Sequence, residues 1–342
     1  MSVENGDLAS TKFSFMSDHI LFGKLRPYLR KIARPNFDGI CSTDIIPIKP
    51  SEKIDRDYLF HFLRLDEVVD KAASLATGIN LPRLSPRILE TFDVPVPPLG
   101  EQRRIAAILD QADDLRRKRQ ESIERMPILI GEIFAGMFGD SPACSGKWPT
   151  DKLGTLAAFE NGDRSRNYPS GDEILESGVP FLSTKNIVDD RLDLSALNFI
   201  SPHKFASLSR GKARPEDLII TLRGTLGSCC IFDNTWPTAF INAQMMIIRA
   251  GPMLLPSYLH AFMTLPSVKT HLWRIGNGAA VPQLTATQLS ELAVPVPPLQ
   301  LQRDFADRLR DIEKLKVQQS AHLAKLDALF ASLQHRAFRG AL

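Results

Sequence analysis

Val94-Pro95-Val96-Pro97-Pro98-Leu99 recurs residue for residue as Val294-Pro295-Val296-Pro297-Pro298-Leu299, an offset of 200. Gln102-Arg103 and Gln302-Arg303 follow at the same offset. Upstream, Leu81-Pro82-Arg83-Leu84 matches Val281-Pro282-Gln283-Leu284, and Gly78 matches Gly278. Tyr58-Leu59 and Phe62 match Tyr258-Leu259 and Phe262. Ile40–Ile46 aligns with Ile241–Ile247 one residue out of step, and Leu25-Arg26 aligns with Leu222-Arg223. A repeat of this length is too long for a solenoid and implies a duplicated domain-plus-linker unit. The second unit begins near Asp151, after Ser141–Gly146, so its counterpart in the first would lie about 50 residues before Met1, by the same repeat arithmetic. The first unit is therefore expected to lack the front of its domain, or to have diverged there.

Composition bounds the rest. The chain has 342 residues, enough for about two domains, with 44% hydrophobic and 24% charged residues, which excludes global disorder. Its net charge of +3 does not by itself mark a nucleic-acid binder. The most apolar long stretch, Met126–Gly139, holds Glu132 and is too short to span a bilayer. The first ten residues show no signal peptide. Cys41, Cys144, Cys229 and Cys230 lack metal-ligand spacing and fit free thiols in a reducing, cytoplasmic setting.

Each unit reads as short strands followed by helices. Strands are expected at Ile20–Phe22, Ile45–Ile48, Asp217–Leu222, Cys229–Phe232 and Met245–Ile248. Helices are expected at Asp57–Leu63, Val68–Ala76, Ser257–Met263 and Val268–Ile275. Shorter ones start at Ser85-Pro86 and at Thr285 with Gln288. The Val-Pro-Val stretch can form an edge strand that its prolines end. A long heptad-like helix follows each copy. Its apolar positions are Ile105, Leu109, Ala112, Leu115, Ile123, Met126, Ile130, Ile133 and Met137 in the first. In the second they are Phe305, Leu309, Ile312, Leu315, Leu323, Leu326, Phe330, Leu333 and Ala337. Both seams share a gap around Arg119 and Gln319, which predicts a polar layer if the helices pair antiparallel. Pro127 should kink or break the first helix near Met126.

Catalytic signatures are missing from the sequence. It holds no phosphate-binding GxxxxGK[ST] loop, no HExxH or HxE…CxxC zinc motif, and no Asn or Asp before a Pro-Pro-aromatic string. Charge clustering is more informative. Residues 21–34 hold Lys24, Arg26, Arg30, Lys31 and Arg34 without an acid. Residues 203–223 sum to +3 and residues 172–193 to −4. Both basic runs flank the same repeat strand, so positive charge is expected at one structural site, where a phosphate backbone would be attracted. A solvated face is the plain alternative. Asn186, Asn242, Gln244 and Asn277 supply amides able to read adenine edges, although any one of them also suits a turn.

The duplicated Gly-x-x-(Leu/Val)-Pro-x-Leu turn, the following VPVPPL string and the long helix resemble the specificity subunits of type I restriction–modification enzymes. Phe22–Arg30, Pro180–Ile187 and Asp217–Gly227 are similar to their target-recognition domains. The resemblance implies an α/β (α+β) chain. It also implies two target-recognition domains, the first incomplete, separated by two long antiparallel coiled-coil helices in a pseudo-twofold repeat. The implied boundaries are 1–98 (first domain), 99–139 (first spacer helix), 140–150 (linker), 151–298 (second domain) and 299–342 (second spacer helix).

The resemblance further implies a non-catalytic, sequence-specific reader of a bipartite double-stranded DNA target, serving DNA methylation and host defence. Modification and restriction subunits would be its partners, holding S-adenosylmethionine, ATP and Mg, with no cofactor in this chain. DNA contacts are expected from Lys24, Arg26, Arg30, Lys31, Arg34, Lys185, Asn186, Arg223, Gly224, Thr225, Asn242, Gln244 and Asn277. The competing readings are a coiled-coil scaffold that binds the modification subunit but reads at most one half-site, and a stand-alone enzyme, for which no cofactor motif is found.

Overall fold

The computed structural model describes residues 12–139, 147–233, 235–277 and 282–342. Cys144, most of the 140–150 linker, Gly278 and Val281 lie outside the described residues. The chain divides into two compact units, Met1–Ile123 with Val317–Leu342, and Glu124–Lys316. Each unit therefore holds one domain and one half of each long helix.

Unit 1 comprises β1 (Lys12–Phe15), β2 (Ile20–Gly23), β3 (Ile32–Ala33), β4 (Gly39–Ser42), β5 (Ile45–Ile48), α1 (Arg56–Leu63), α2 (Asp66–Ser74), α3 (Pro86–Leu89) and the start of α4 (Leu99–Phe138). Strands β3-β2-β5 form one antiparallel sheet and β1 pairs with β4. Ile20, Phe22, Leu59, Phe62 and Leu84 fill the core beneath. Asp55 caps α1 by accepting from the Asp57 and Tyr58 amides.

Unit 2 adds to the end of α4 the elements β6 (Thr150–Lys152), α5 (Leu153–Leu156), β7 (Ala157–Asn161), β8 (Val179–Leu182), β9 (Ile187–Val188), β10 (Arg191–Leu192), β11 (Asn198–Ile200) and α6 (Pro202–Ser207). Then come β12 (Lys212–Ala213), β13 (Leu218–Thr221), β14 (Cys229–Ile231), β15 (Ala239–Ile241), β16 (Met245–Ala250), α7 (Pro256–Thr264), α8 (Pro266–Gly276), α9 (Ala286–Ser290), β17 (Ala293–Pro295) and the start of α10 (Leu299–Ala337). Two four-stranded sheets, β14-β13-β16-β7 and β11-β8-β15-β12, share this unit. Ile219, Ile241, Met245 and Ile247 lie in the cluster between them, while Leu218, Ile220, Met246 and Ile248 join the helices. The opposed faces follow from the two-residue period of a strand. Thr285 and Gln288 form the expected capping box.

The repeat is visible in the hydrogen bonding of each unit. Phe22 faces Ile46 as Ile220 faces Met246. The Leu84 amide donates to Lys24 O as the Leu284 amide donates to Leu222 O. These pairings correct two sequence alignments. Leu25, not Arg26, is the counterpart of Arg223, and Asp44 matches Gln244 in step at 200. The elements from β1 to α4 have counterparts from β12 to α10, whereas β6–β11, α5 and α6 have none among the described residues of unit 1.

The buried amides of Gln102 and Gln302 fasten each domain to its helix. Gln302 Oε1 accepts from the Leu255 amide at 2.8 Å, and its Nε2 donates to Met253 O at 3.0 Å and Pro297 O at 2.8 Å. Gln102 does the same with the Asp55 amide, Lys53 O and Pro97 O. The Tyr58 and Tyr258 hydroxyls donate to Pro95 O and Pro295 O.

The helices pair antiparallel within each unit. In unit 1 Arg116 Nε meets Asp327 at 2.7 Å, with Ile105, Leu109, Phe330 and Ala337 in the seam. In unit 2 Phe134 and Phe138 pack on Phe305 and Tyr258. Leu115 and Leu315 depart from the expected seam, since both are exposed. Heptad spacing assigns a stripe, but not how wide a partner helix covers it. The expected polar layer contains Gln319, whose Oε1 is buried and unpartnered. The helix continues through Pro127 without the break its missing N–H favours.

Candidate nucleic-acid interface

In unit 2 one sheet edge gathers four loops. β8 and β15 run parallel, Phe181 beside Phe240 and Leu182 beside Ile241, so both end at the same edge. There the Asn242 amide donates to Leu182 O at 2.9 Å. The Leu222 amide donates to Gln244 O at 2.8 Å, and the Gly162 amide to Met245 O at 3.3 Å. Loops 162–166, 183–186, 223–227 and 242–244 thereby converge. A Cβ on Gly162 would come within 2.1 Å of Asn242 O, so this approach requires glycine.

Buried Asp163 shapes this edge. Its carboxylate accepts from the Ser165 amide at 2.7 Å, the Ser209 amide at 3.0 Å and the Ser209 hydroxyl at 3.1 Å. Burial pushes the carboxyl up, but the hydrogen bonds from Ser165 and Ser209 outweigh it and hold it at about 2. This clasp ties the Arg164–Arg166 turn to Ser209–Gly211. Arg164 Nη2 donates to Ala243 O at 2.8 Å. Arg166 and Arg210 are exposed and have no carboxylate partner among the described residues.

The expected site residues fare unequally. Lys185 is exposed on the loop after β8. Asn186 is not available to a ligand. Its side chain accepts from the Ser183 amide and hydroxyl and donates to Asp193 O and Ala196 O, so it positions the loop instead. Arg223 binds Gln283 Oε1 through Nε at 2.9 Å and Nη2 at 2.5 Å, a neutral partner that leaves its charge uncompensated. Gly224 and Thr225 are exposed, Gly224 with φ +82°. Asn242 Oδ1 accepts from the Gln244 amide at 3.0 Å, and this Asx turn presents an exposed Gln244 side chain. Asn277 is exposed at the C-cap of α8.

In unit 1 two of the five expected cations, Arg30 and Arg34, are already paired with carboxylates. Arg30 bonds Asp66 at 2.5 Å. Arg34 pairs with Asp57 and Asp110 and stacks on Phe60, with its centre 4.6 Å from the ring centroid. Arg34 is therefore part of the packing of α1 and α4. Arg26 adopts a left-handed backbone, its Nη2 bonds Asn80 O at 3.3 Å, and its Nε is buried without a partner. Lys24 is half-buried and Lys31 exposed.

The two basic runs do not occupy one structural site, contrary to expectation. Lys24–Lys31 follows β2, whereas Lys204, Lys212 and Arg214 precede β13, the counterpart of β2. Lys204 pairs with Glu173 at 2.7 Å, and the Lys212 ammonium lies 4.8 Å from the Phe205 ring centroid. Arg223 alone follows β13. Sequence reasoning missed Arg164, Arg166, Arg210 and Gln283 as a group. The Gly-Asp-Arg-Ser-Arg string, with Asp before Ser, was the available turn signal.

A family model described as type I restriction modification DNA specificity domain matches residues 12–125 and 146–325. The chain belongs to this family. It is 33% identical over 140 residues to the type I restriction enzyme EcoDI specificity subunit of Escherichia coli, covering 40% of this chain and 31% of that one. It is 24% identical over 298 residues to the MjaVIII specificity subunit of Methanocaldococcus jannaschii, covering 81% of this chain and 68% of that one. It is 23% identical over 332 residues to the EcoKI specificity subunit of E. coli K12, covering 90% and 69%. The chain thus spans between about a third and two thirds of the length of these relatives.

Solved structures share the fold. A chain from a study of assembly and conformational transition of a type I restriction–modification system matches with TM-score 0.64 at 23% identity, covering 96% of this chain and 83% of that one. The type I system S subunit of M. genitalium matches with TM-score 0.58 at 16% identity, covering 95% and 83%. No helix among the described residues is long and apolar enough to cross a membrane.

Proposed function

We propose that this chain is a non-catalytic specificity subunit that reads double-stranded DNA for a type I restriction–modification system in the cytoplasm. The observation that carries the proposal is the loop edge of unit 2. Arg164, Arg166, Lys185, Arg210 and Arg223 cluster there with the Gln244 amide and, among the described residues, without a salt-bridging carboxylate. Cations attract phosphates and fix register, and amides and guanidinium groups read base edges. Modification and restriction subunits would bring the S-adenosylmethionine, ATP and Mg chemistry. Leu115 with Leu329 in unit 1, and Leu129 with Leu315 in unit 2, are exposed apolar positions on the helix pair that suit protein docking.

The corresponding edge of unit 1 favours a narrower reading of recognition. Where unit 2 has Gln283 and Gln244, unit 1 has Arg83 and Asp44, which pair with each other at 2.9 Å. Arg83 is thereby neutralised within unit 1, whereas Arg223 is not neutralised in unit 2, which favours unit 2 as the stronger half-site contact.

Affinity for duplex DNA measured against salt tests the proposal. A steep negative slope of log K against log salt is expected. Arg166→Ala with Arg210→Ala should reduce that slope by about 2 if both touch phosphates. A flat slope in the wild type refutes DNA reading. Sequencing of methylated sites after co-expression with a modification subunit then gives the target. A motif with one specified half favours the narrower reading.

A further inference from the structure

Trp273 stands apart from the other two tryptophans. Trp148 Nε1 donates to Phe138 O at 3.1 Å, and the Trp236 ring centroid lies 5.6 Å from that of Phe199. The Trp273 indole has neither a ring partner nor a hydrogen bond among the described residues, and the residue is 57% exposed. Tryptophan is highly buried on average, and it is enriched among the residues that anchor interfaces.

The surroundings of Trp273 adjoin the loop edge of unit 2. Lys269, one turn earlier on the same face of α8, pairs with Asp190 in the turn between β9 and β10, the hairpin that follows the Lys185 loop. The last turn of α8 packs on the 223–227 loop. A Cβ on Gly227 would lie 3.2 Å from Leu272 Cδ1, and one on Gly276 would lie 3.2 Å from Leu226 Cδ1. Beyond that turn the Gln283 amide donates to Gly276 O at 2.9 Å, and the Gln283 side chain holds Arg223. Arg274 follows the indole and is exposed, with no carboxylate partner among the described residues. An open apolar ring thus stands beside two arginines whose charge the fold leaves uncompensated. Duplex DNA matches that combination, because the apolar faces of its deoxyriboses lie between phosphates. The counterpart of Trp273 in unit 1 is Ala73, so the feature belongs to unit 2 alone.

We propose that Trp273 is a contact residue of the unit 2 DNA edge. Its indole packs on deoxyribose beside the phosphates that Arg223 and Arg274 attract. The inference rests on the DNA-reading function proposed above and adds to it an apolar anchor that releases no counterion. Such an anchor contributes affinity without contributing to the salt dependence.

A long mixed-sequence duplex is the probe, since a sugar contact needs no particular base. Acrylamide should quench the tryptophan fluorescence of the free full chain, and saturating duplex should shield it. Trp273→Phe should remove most of the component that the duplex shields. Trp273→Ala should weaken duplex binding about tenfold through lost apolar burial, with the slope of log K against log salt and the thermal midpoint unchanged. Trp273→Phe should recover most of that loss. Arg274→Ala should instead lower the slope by about one. A wild-type chain that binds duplex with a steep salt slope, while Trp273 stays open to acrylamide and Trp273→Ala binds equally well, overturns this inference and leaves DNA reading intact. Shielding of Trp273 by a modification subunit but not by duplex overturns it too, since the indole then belongs to a protein interface. A flat salt slope in the wild type removes DNA reading itself, and this contact with it.

Discussion

Replacing Gln302 with leucine removes the amide that holds domain and helix together in unit 2, with little change in side-chain volume. Three groups lose their partner: the Leu255 amide, Met253 O and Pro297 O. Each buried hydrogen bond contributes about 1 kcal/mol net, and a buried group left unpaired costs about 1–3 kcal/mol. Gln302 is itself inaccessible to solvent, and its bond to Pro297 O is buried, whereas the other two are half-buried. Water relieves part of the loss at those two, and leucine recovers some apolar burial. The net cost is about 3 kcal/mol. At about 2–4 °C per kcal/mol for a domain of this size, the unit 2 transition should fall by about 6–12 °C. Gln102→Leu should cost less, about 1–2 kcal/mol, because all three of its partner bonds are half-buried and open to water. The chain provides its own reporter. Trp148, Trp236 and Trp273 all lie in unit 2. Tryptophan fluorescence during urea unfolding should therefore shift its midpoint for Gln302→Leu and respond weakly to Gln102→Leu. Circular dichroism should register both. A cost below about 1 kcal/mol for Gln302→Leu, or a larger one for Gln102→Leu, refutes the assignment of these glutamines as buried fasteners, since each sum rests on the same per-bond values.

Burial pushes the His61 and His260 imidazoles down, against the opposing pull of Asp110 on His61 and of the Cys229 and Asp190 carbonyl groups on His260. The unfolded chain, with histidines near 6.5, binds more protons below that pH, so stability is full above it and declines as the pH falls toward the folded values. Urea midpoints should be lower at pH 5.5 than at pH 7.5, and a His61→Phe variant should flatten the unit 1 part of that dependence. Asn186→Ala removes the amide that organises the Lys185 loop and should cost about 2–3 kcal/mol, read from the tryptophan midpoint, because the acceptors and donors of four bonds lose their partner. Asp163→Ala frees the Ser165 and Ser209 amides, so the Arg164–Arg166 turn should become an early trypsin site in limited proteolysis.

The fold was legible because a repeat doubles every weak signal. One Val-Pro-Val edge is a turn; two at a fixed offset, each followed by a Gln-Arg pair and a heptad stripe, define a unit. Strand periodicity then located β2, β5, β13 and β16, and Thr285 with Gln288 announced a capping box that the structure contains. The interface was less legible, for reasons of geometry. A run of positive residues along the chain says nothing about which end of a strand each one reaches. Arg214 and Arg223 stand at opposite ends of β13, and the arginines that share an edge with Arg223 come from two other loops, those of Arg164–Arg166 and of Arg210, which Asp163 ties together. Side-chain pairing was also hidden. Arg30 and Arg34 count as free charge in sequence, yet Asp66, Asp57 and Asp110 neutralise them in the fold.

The same distinction explains how one duplicated scaffold carries two different surfaces. The backbone ladder that joins Leu84 to Lys24 and Leu284 to Leu222 is preserved, while the side chains hung on it are free to change. At the edge of unit 2 the ladder displays Arg223 against a neutral glutamine, which leaves a full positive charge facing outward. In unit 1 it displays Arg83 against Asp44, whose carboxyl that guanidinium holds below its ordinary value. Exchanging these pairs tests whether charge at this edge sets DNA affinity independently of fold. Asp44→Gln should raise affinity for duplex DNA and steepen its salt dependence by about one phosphate's worth, because it releases Arg83. Gln244→Asp should do the reverse in unit 2, by bringing a carboxylate to Arg223. Both substitutions sit on strand-joining turns whose backbone bonds do not involve the side chain replaced, so thermal stability should stay within about 0.5 kcal/mol of the parent. Unchanged salt slopes in both variants would place the DNA contact away from this edge.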